Sequence, residues 1–252
     1  MARLGYSKVS SRRVESGNDG AARAVPLLLC LVMVEISCRG LLFDLDGVLV
    51  DSTPAVARVW TKWAIGHGFD PEETVRNAHG RPSLSTVKEL LPNAVDPVLE
   101  NEVIVRGEIE DTEGVVALPG VCDFLRSVPK RRWALVTSCV RPLAQVRLSA
   151  AGIPIPEKMI TADDVERGKP DPEPYLKGAA LLGVPASECV VFEDAPAGIR
   201  AGKSAGARVI ALPTTESEKG LKSAGADWIL PRYSNLSLAS SNGPGLKLRL
   251  TE

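Results

Sequence analysis

Between Pro119 and Leu230 the chain repeats one rhythm. Short runs rich in β-branched residues, "WALVTS", "KMITA", "CVVFED", "ARVIAL" and "DWIL", are separated by segments of helical spacing over 142–151, 172–182 and 197–205. The runs are apolar at successive positions, so both faces of each strand must be covered, which is the mark of a parallel sheet flanked by helices. By composition "LLFDL", Leu41–Leu45, belongs to the same sheet. The fold class expected is therefore α/β, a doubly wound, Rossmann-like parallel sheet. In such sheets ligands bind at the carboxyl ends of strands. Four ends carry or lead into polar residues: Asp44 and Asp46; Thr137 and Ser138; the loop toward Lys169; and Glu193 with Asp194.

The first strand is followed by a different pattern. From Thr53 to about Leu118 no strand is evident, and helices are expected from Thr53, then near 71–78, 83–91 and 96–109. Ser52 or Thr53 supplies an N-cap and Pro54 suits the first turn. Trp60 and Trp63, at helical spacing with Val56, Val59 and Ala64, are read as core of this helical unit. Asp51 is read as a cap for its first helix. A catalytic core of 40–52 and 119–252 is thus interrupted by an all-helical cap, 53–118. The tail "LSLASSNGPGLKLRL" has the pattern of an edge hairpin turning at 242–245.

Residues 1–39 form an N-terminal extension in this reading. Residues 1–24 are polar and lack apolar periodicity, a composition that predicts disorder. The run "VPLLLCLVMV" is shorter than the roughly 20 apolar residues of a membrane span. It has the length of a signal-peptide core, but "EISC" is a poor cleavage site, and Glu15 and Asp19 interrupt any basic transit segment. A third reading, preferred here, makes Met33 the functional start.

A formal charge of −1, from 30 basic and 31 acidic residues, offers no polycationic surface for nucleic acid or anionic membranes. Five scattered cysteines without a CxxC suggest neither a disulfide framework nor a zinc site, and point to a reducing cytoplasm. With only two histidines, carboxylates are the natural ligands of any cation.

Residues two apart on an extended chain share a side, so Asp44 and Asp46 face one pocket while Leu45 turns inward. Those carboxylates, joined by Glu193 and Asp194, repel, and a divalent cation such as Mg²⁺ resolves the conflict. Lys169, in "RGKPDPEPY", can supply a point charge to phosphate. Thr137 and Ser138 offer hydroxyl and backbone donors for phosphoryl oxygens. Gly47 permits close backbone approach. One carboxylate, Asp44, suits attack on phosphorus, and the other, Asp46, suits proton transfer. In the cap, Gly80 can turn His79 and Arg81 toward substrate. Glu113, near the hinge, either binds a substrate hydroxyl or is a linker charge.

"DLDGVLVDS", "VTS", "RGKPDPEPY" and "VVFEDAPAGIRAG" together resemble the four ordered motifs of the haloacid-dehalogenase-like hydrolase superfamily, in its phosphatase branch with a small helical cap. "PEPYLKG" and "VFEDAPAGI" are similar to fungal glycerol-phosphate and deoxyglucose-phosphate phosphatases, and "TEGVVALPG" to bacterial sugar and sugar-alcohol phosphatases. The resemblance implies a Mg²⁺-dependent phosphatase of small sugar or polyol phosphates, and a monomer is expected. It implies Asp44 as nucleophile, Asp46 as acid and base, and Thr137 and Lys169 on phosphate. Mg²⁺ would lie on Asp44, the Asp46 carbonyl and Asp194, with Glu193 beside them. Cys139 stands where relatives often carry Gly. A sugar phosphomutase and a non-catalytic phospho-ligand sensor are the competing readings, with a dehalogenase behind them.

Overall fold

A computed structural model describes residues 33–78, 82–91, 96–241, 243 and 245–251. His79, Arg81, residues 1–32 and two of the four residues of the expected 242–245 turn lie outside the described residues. In chain order the first elements are β1 (Met33–Cys38), β2 (Gly40–Phe43) and β3 (Val50–Asp51). Four helices follow: α1 (Thr53–His67), α2 (Pro71–Ala78), α3 (Ser83–Leu90) and α4 (Pro97–Glu110). The chain then runs through β4 (Val116–Ala117), α5 (Val121–Ser127), β5 (Trp133–Val136), α6 (Arg141–Ala150) and β6 (Met159–Ile160). The remainder is α7 (Glu173–Leu182), β7 (Cys189–Glu193), α8 (Pro196–Ser204), β8 (Arg208–Ala211), α9 (Glu218–Ser223), β9 (Trp228–Ile229), β10 (Leu236–Ser240) and β11 (Leu246–Thr251).

The central sheet has the order β6-β5-β2-β7-β8-β9, with every neighbouring pair parallel. Successive residues of each strand face opposite layers. Leu41 and Phe43, Trp133 and Leu135, and Val190 and Phe192 enter one apolar layer, whereas Leu42, Ala134, Val136 and Val191 enter the other. The second layer is closed by Tyr175 and Ala179 of α7, Ile199 of α8 and Leu221 of α9. The strand order reverses at β2, so the connections on its two sides run in opposite directions and leave a crevice at the carboxyl ends of the strands.

The first layer is closed differently from expectation. Val121 and Phe124 of α5 and Leu148 of α6 cover part of it, and a second sheet, ordered β1-β11-β10, covers the rest. The tail hairpin therefore forms, but in its own antiparallel sheet and not on the edge of the central one. Residues 33–38, assigned by sequence to the extension, are its outer strand, in register from Met33 opposite Thr251 to Cys38 opposite Leu246. The reason is burial: Ile36 and Cys38 alternate into the same layer as Leu246, Leu248 and Leu250. A chain beginning at Met33 keeps these pairs, whereas one beginning at Gly40 leaves β11 an open edge. The shorter chain is expected to be less stable by about 3 kcal/mol or more, from the lost burial of Ile36 and its neighbours, measured by urea denaturation of the two.

The cap has a core of its own, Trp60, Trp63, Ala78, Val87 and Ile104, with Trp60 and Trp63 in edge-to-face contact at 5.6 Å. Asp96 caps α4 by accepting from the Val98 N–H at 2.9 Å. Asp51 accepts from the Thr53 N–H at 3.0 Å at the start of α1. Within the span read as all-helical, Val116–Ala117 pairs antiparallel with Val50–Asp51. The two crossings between core and cap run side by side and satisfy one another's backbone groups.

Candidate active site

Four chain segments meet at the carboxyl end of β2. The Asp44 N–H donates to the Phe192 carbonyl at 3.0 Å, which prolongs the parallel pairing by one residue and sets the Asp44 side chain at the mouth of the sheet. Leu45 is fully buried in the first layer, as its alternation demands. The Val48, Leu49 and Val50 N–H groups all turn back onto the Leu45 carbonyl. Gly47, at φ 71°, tightens this turn, and a Cβ there would stand 2.0 Å from Asp194 Oδ2.

Lys169 reaches into the crevice from the loop before α7. Its Nζ donates to Asp44 Oδ1 at 2.8 Å, Glu193 Oε1 at 2.7 Å and the Val136 carbonyl at 3.0 Å. Glu193, 1 % exposed, is fully occupied: the Tyr175 hydroxyl shares Oε1, and the Asp194 and Ala195 N–H groups donate to Oε2. A Cβ on Gly198 would fall 1.7 Å from that carboxylate, so the first turn of α8 needs glycine to let it lie there. Asp194 accepts from the Thr215 hydroxyl at 2.5 Å. Asp44, Glu193 and Asp194 each present an oxygen within 4.8 Å of the others. Thr137, Ser138 and Cys139 line the opposite wall, with the Cys139 N–H donating to Thr137 Oγ1 at 3.1 Å.

Among the described residues, three carboxylates thus face the single ammonium of Lys169 in a nearly dry site. Burial pushes Asp44 up to about 7, with Lys169 pulling the other way and Glu193 adding to the rise. Burial raises Asp194 well above the usual carboxylate range, and repulsion from Glu193 and Asp44 reinforces it. Burial works against the charge on Lys169, but Asp44 and Glu193 outweigh it and hold the ammonium above its ordinary value. This shortage of positive charge, with hard oxygen donors on three sides, fits a divalent cation.

Asp46 points into the same cleft but is held by other partners. The Ser52 hydroxyl donates to Oδ1 at 2.6 Å, and Arg147 Nη1 and Cys139 Sγ donate to Oδ2 at 2.7 and 3.1 Å. The two aspartates that share a side along the chain therefore have different cations, Lys169 on Asp44 and Arg147 on Asp46, although their charges still repel. Arg147 and its second partner Glu108 also line the cleft and were missed by the sequence reading. The signal was present: each is a charge on an otherwise apolar helix face, Arg147 beside Leu143, Ala144 and Leu148, and Glu108 one turn from Ile104. Glu113 is not brought to the cleft. It is exposed on the connection after α4, where its carbonyl accepts from Arg58 at 2.6 Å. The cleft encloses about 580 Å³, and Ser83, Ser85, Asn101 and Trp60 line its cap side.

The model of the haloacid dehalogenase-like hydrolase family matches residues 38–206, well over half the chain. Hexitol phosphatase A of Escherichia coli is 46% identical over 179 residues, covering 69% of this chain and 83% of that protein. Glycerol-1-phosphate phosphohydrolase 2 of Saccharomyces cerevisiae is 35% identical, covering 83% of this chain and 88% of its own. Among solved structures, a hydrolase from Pseudomonas syringae superposes with a TM-score of 0.69 at 26% identity, covering 76% of this chain and 92% of that one. Matches of this extent, over a site with this geometry, leave one assignment: the chain belongs to the haloacid dehalogenase-like hydrolase family.

Proposed function

We propose that the protein is a Mg²⁺-dependent phosphatase of small sugar or polyol phosphates that works through an aspartyl-phosphate on Asp44. The observation that carries this reading is the seat of Lys169, whose ammonium bridges Asp44 and Glu193 at 2.8 and 2.7 Å beside Asp194. A nucleophile, a cation for phosphate and a pair of free metal-binding oxygens then share one buried cluster. Asp44 and Asp194, with the backbone carbonyl of Asp46, would hold Mg²⁺, and Glu193, its own oxygens taken, would stand behind them. Bound there, the ion would offset the carboxylate repulsion and draw charge from the phosphoryl oxygens.

The residues divide the work as follows. Lys169, Thr137 and Ser138 bind the phosphoryl oxygens and orient phosphorus toward Asp44. An Asp44 oxygen forms a bond to phosphorus as the ester P–O bond breaks, and Asp46 gives the leaving alkoxide its proton. Asp46 then takes a proton from water, whose oxygen attacks phosphorus and releases phosphate and free Asp44. The helical cap closes over the cleft and excludes bulk water meanwhile. The polar lining from Ser83, Ser85 and Asn101 and a cleft of about 580 Å³ suit a polyhydroxylated leaving group. The activities for which the Escherichia coli and Saccharomyces cerevisiae relatives are named support the same class.

The thiols of Cys38, Cys122, Cys139 and Cys189 are free, which suits a reducing compartment such as the cytoplasm. Among the described residues no helix is long and apolar enough to cross a membrane.

The test is a phosphate-release panel of hexitol, hexose, glycerol and deoxyhexose phosphates, with Mg²⁺ and with EDTA. Free phosphate is expected from one or more polyol or sugar esters with Mg²⁺, and a fall of at least about 10²-fold in EDTA. An isomerised sugar phosphate in place of free phosphate makes the protein a mutase. Binding without turnover across the whole panel makes it a sensor.

A further inference from the structure

The chemistry above leaves a buried guanidinium without a task. Arg147 is 4 % exposed and projects from the apolar face of α6, where an unpaired charge would cost several kcal/mol. It is paired twice. Nη1 donates to Asp46 Oδ2 at 2.7 Å, and Nη2 donates to Glu108 Oε2 at 3.0 Å. Glu108, itself 7 % exposed, belongs to the cap helix α4, and its other oxygen accepts from Trp60 Nε1 of α1 at 3.2 Å. Cys139 Sγ lies 3.1 Å from both Asp46 Oδ2 and Arg147 Nη1 and closes the remaining side. Asp46 Oδ1 is held by Ser52, at the point where the chain enters the cap. Oδ2 of Asp46 is therefore linked through Arg147 to a cap helix, while Oδ1 is held by Ser52 on the core side of the crossing.

We propose that Arg147 is a positioning residue for proton transfer: through the Glu108–Arg147–Asp46 chain of ion pairs, cap helix α4 sets where the Asp46 carboxylate stands. The inference rests on the reading of Asp46 as acid and base. A guanidinium is a rigid planar fork, so movement of the carboxylate on one nitrogen turns the other nitrogen with it; an ammonium has no such lever. Proton transfer to a leaving oxygen needs hydrogen-bond reach, and a displacement of about 1 Å costs on the order of 10²-fold. Asp46 then reaches its working position only when the cap is seated.

The test compares the full-length wild type with Arg147→Met, Arg147→Lys, Glu108→Gln and Asp46→Asn in Mg²⁺. Two substrates are used: the best polyol phosphate of the panel, whose alkoxide needs a proton to leave, and p-nitrophenyl phosphate, whose phenolate does not. For Arg147→Met, kcat on the polyol phosphate is expected to fall about 10²-fold with little change in KM. With p-nitrophenyl phosphate it is expected to give a rapid burst of about one p-nitrophenolate per enzyme, then slow turnover. Attack by Asp44 is intact there, while hydrolysis of the aspartyl-phosphate still needs the Asp46 base. Glu108→Gln, which keeps the shape and removes the charge, is expected to show the same pattern at about 10-fold, and Arg147→Lys a partial recovery.

Equal losses on both substrates without a burst, or a rise in KM alone, would mean that Arg147 merely fastens the cap, and would overturn the proposal. A burst in Asp46→Asn but in neither Arg147→Met nor Glu108→Gln overturns the positioning role alone. Absence of a burst in Asp46→Asn overturns the role of Asp46 and the inference with it. If Arg147→Met does not fold, Glu108→Gln carries the same comparison.

Discussion

Asp44→Asn is expected to lower turnover by about 10⁴-fold or more on every phosphate ester, while the protein stays folded. The amide has the size of the carboxylate and its oxygen still accepts from Lys169, so packing survives. What is lost is the anionic oxygen that bonds to phosphorus. Retention of more than about one per cent of wild-type turnover in steady-state assays would exclude Asp44 as nucleophile. The same substitution has a second signature in EDTA. Asp44 is raised to about 7 in the fold, against 3.8 for a free aspartate, so the folded protein holds a proton there that the unfolded chain has given up. That contribution to stability is fully present below the unfolded value and is lost as pH rises through about 7. Wild-type stability in EDTA is therefore expected to fall between about pH 4 and 7, and Asp44→Asn to fall less. Asp194, also raised by burial, slopes the same way and in the variant loses the part of its rise that Asp44 repulsion supplies, so the difference between the proteins reports Asp44 together with its effect on Asp194. Urea denaturation across that range measures it, and parallel slopes would contradict the assignment.

Lys169→Met is expected to damage both fold and catalysis. Removing the ammonium leaves Asp44 Oδ1 and the Val136 carbonyl without this donor, and Glu193 Oε1 with the Tyr175 hydroxyl alone, in a site where Lys169 itself is 8 % exposed. Breaking a buried pair from one side costs about 3–5 kcal/mol, because the partner charges remain. Activity is expected to fall by about 10³-fold, since the charge on the transferring phosphoryl group loses its fixed counter-ion. Mg²⁺ should stabilise Lys169→Met more than it stabilises wild type, because the variant has the larger shortage of positive charge. Thermal melts with and without Mg²⁺ compare the two. An equal shift would mean that the ion and Lys169 do not serve the same carboxylates.

Much of the site is local in the chain and was therefore legible. Asp44, Thr137, Glu193 and Asp194 lie at or just beyond strands whose apolar runs mark them as central, and a parallel sheet collects the ends of its central strands on one rim. Lys169 was readable for a related reason, standing between the strand β6 and the helix α7 in a segment that must cross that rim. The cap helices were legible too, because Pro54, Asp96 and the Trp60/Trp63 spacing act within a few residues.

Contacts between distant elements were not legible. The strand Met33–Cys38 read as part of an extension, since its partner Leu246–Thr251 stands at the other end of the chain and neither strand buries its apolar face alone. Glu113 reads from the chain as a linker charge slightly more than as a substrate contact, and the connection after α4 leaves it exposed, with its carbonyl accepting from Arg58. The doubly wound sheet, the helices inserted after its first strand and the carboxylate and lysine residues at the strand ends could all be read from the chain, because each follows from short-range periodicity and motif spacing. How Asp46 is held depends instead on long-range packing. Arg147 and Glu108 are 39 residues apart, and Arg147 and Asp46 are 101 apart. They meet because α4 docks on α6, where the buried Glu108 charge finds its cation in Arg147 and Arg147 spans both carboxylates.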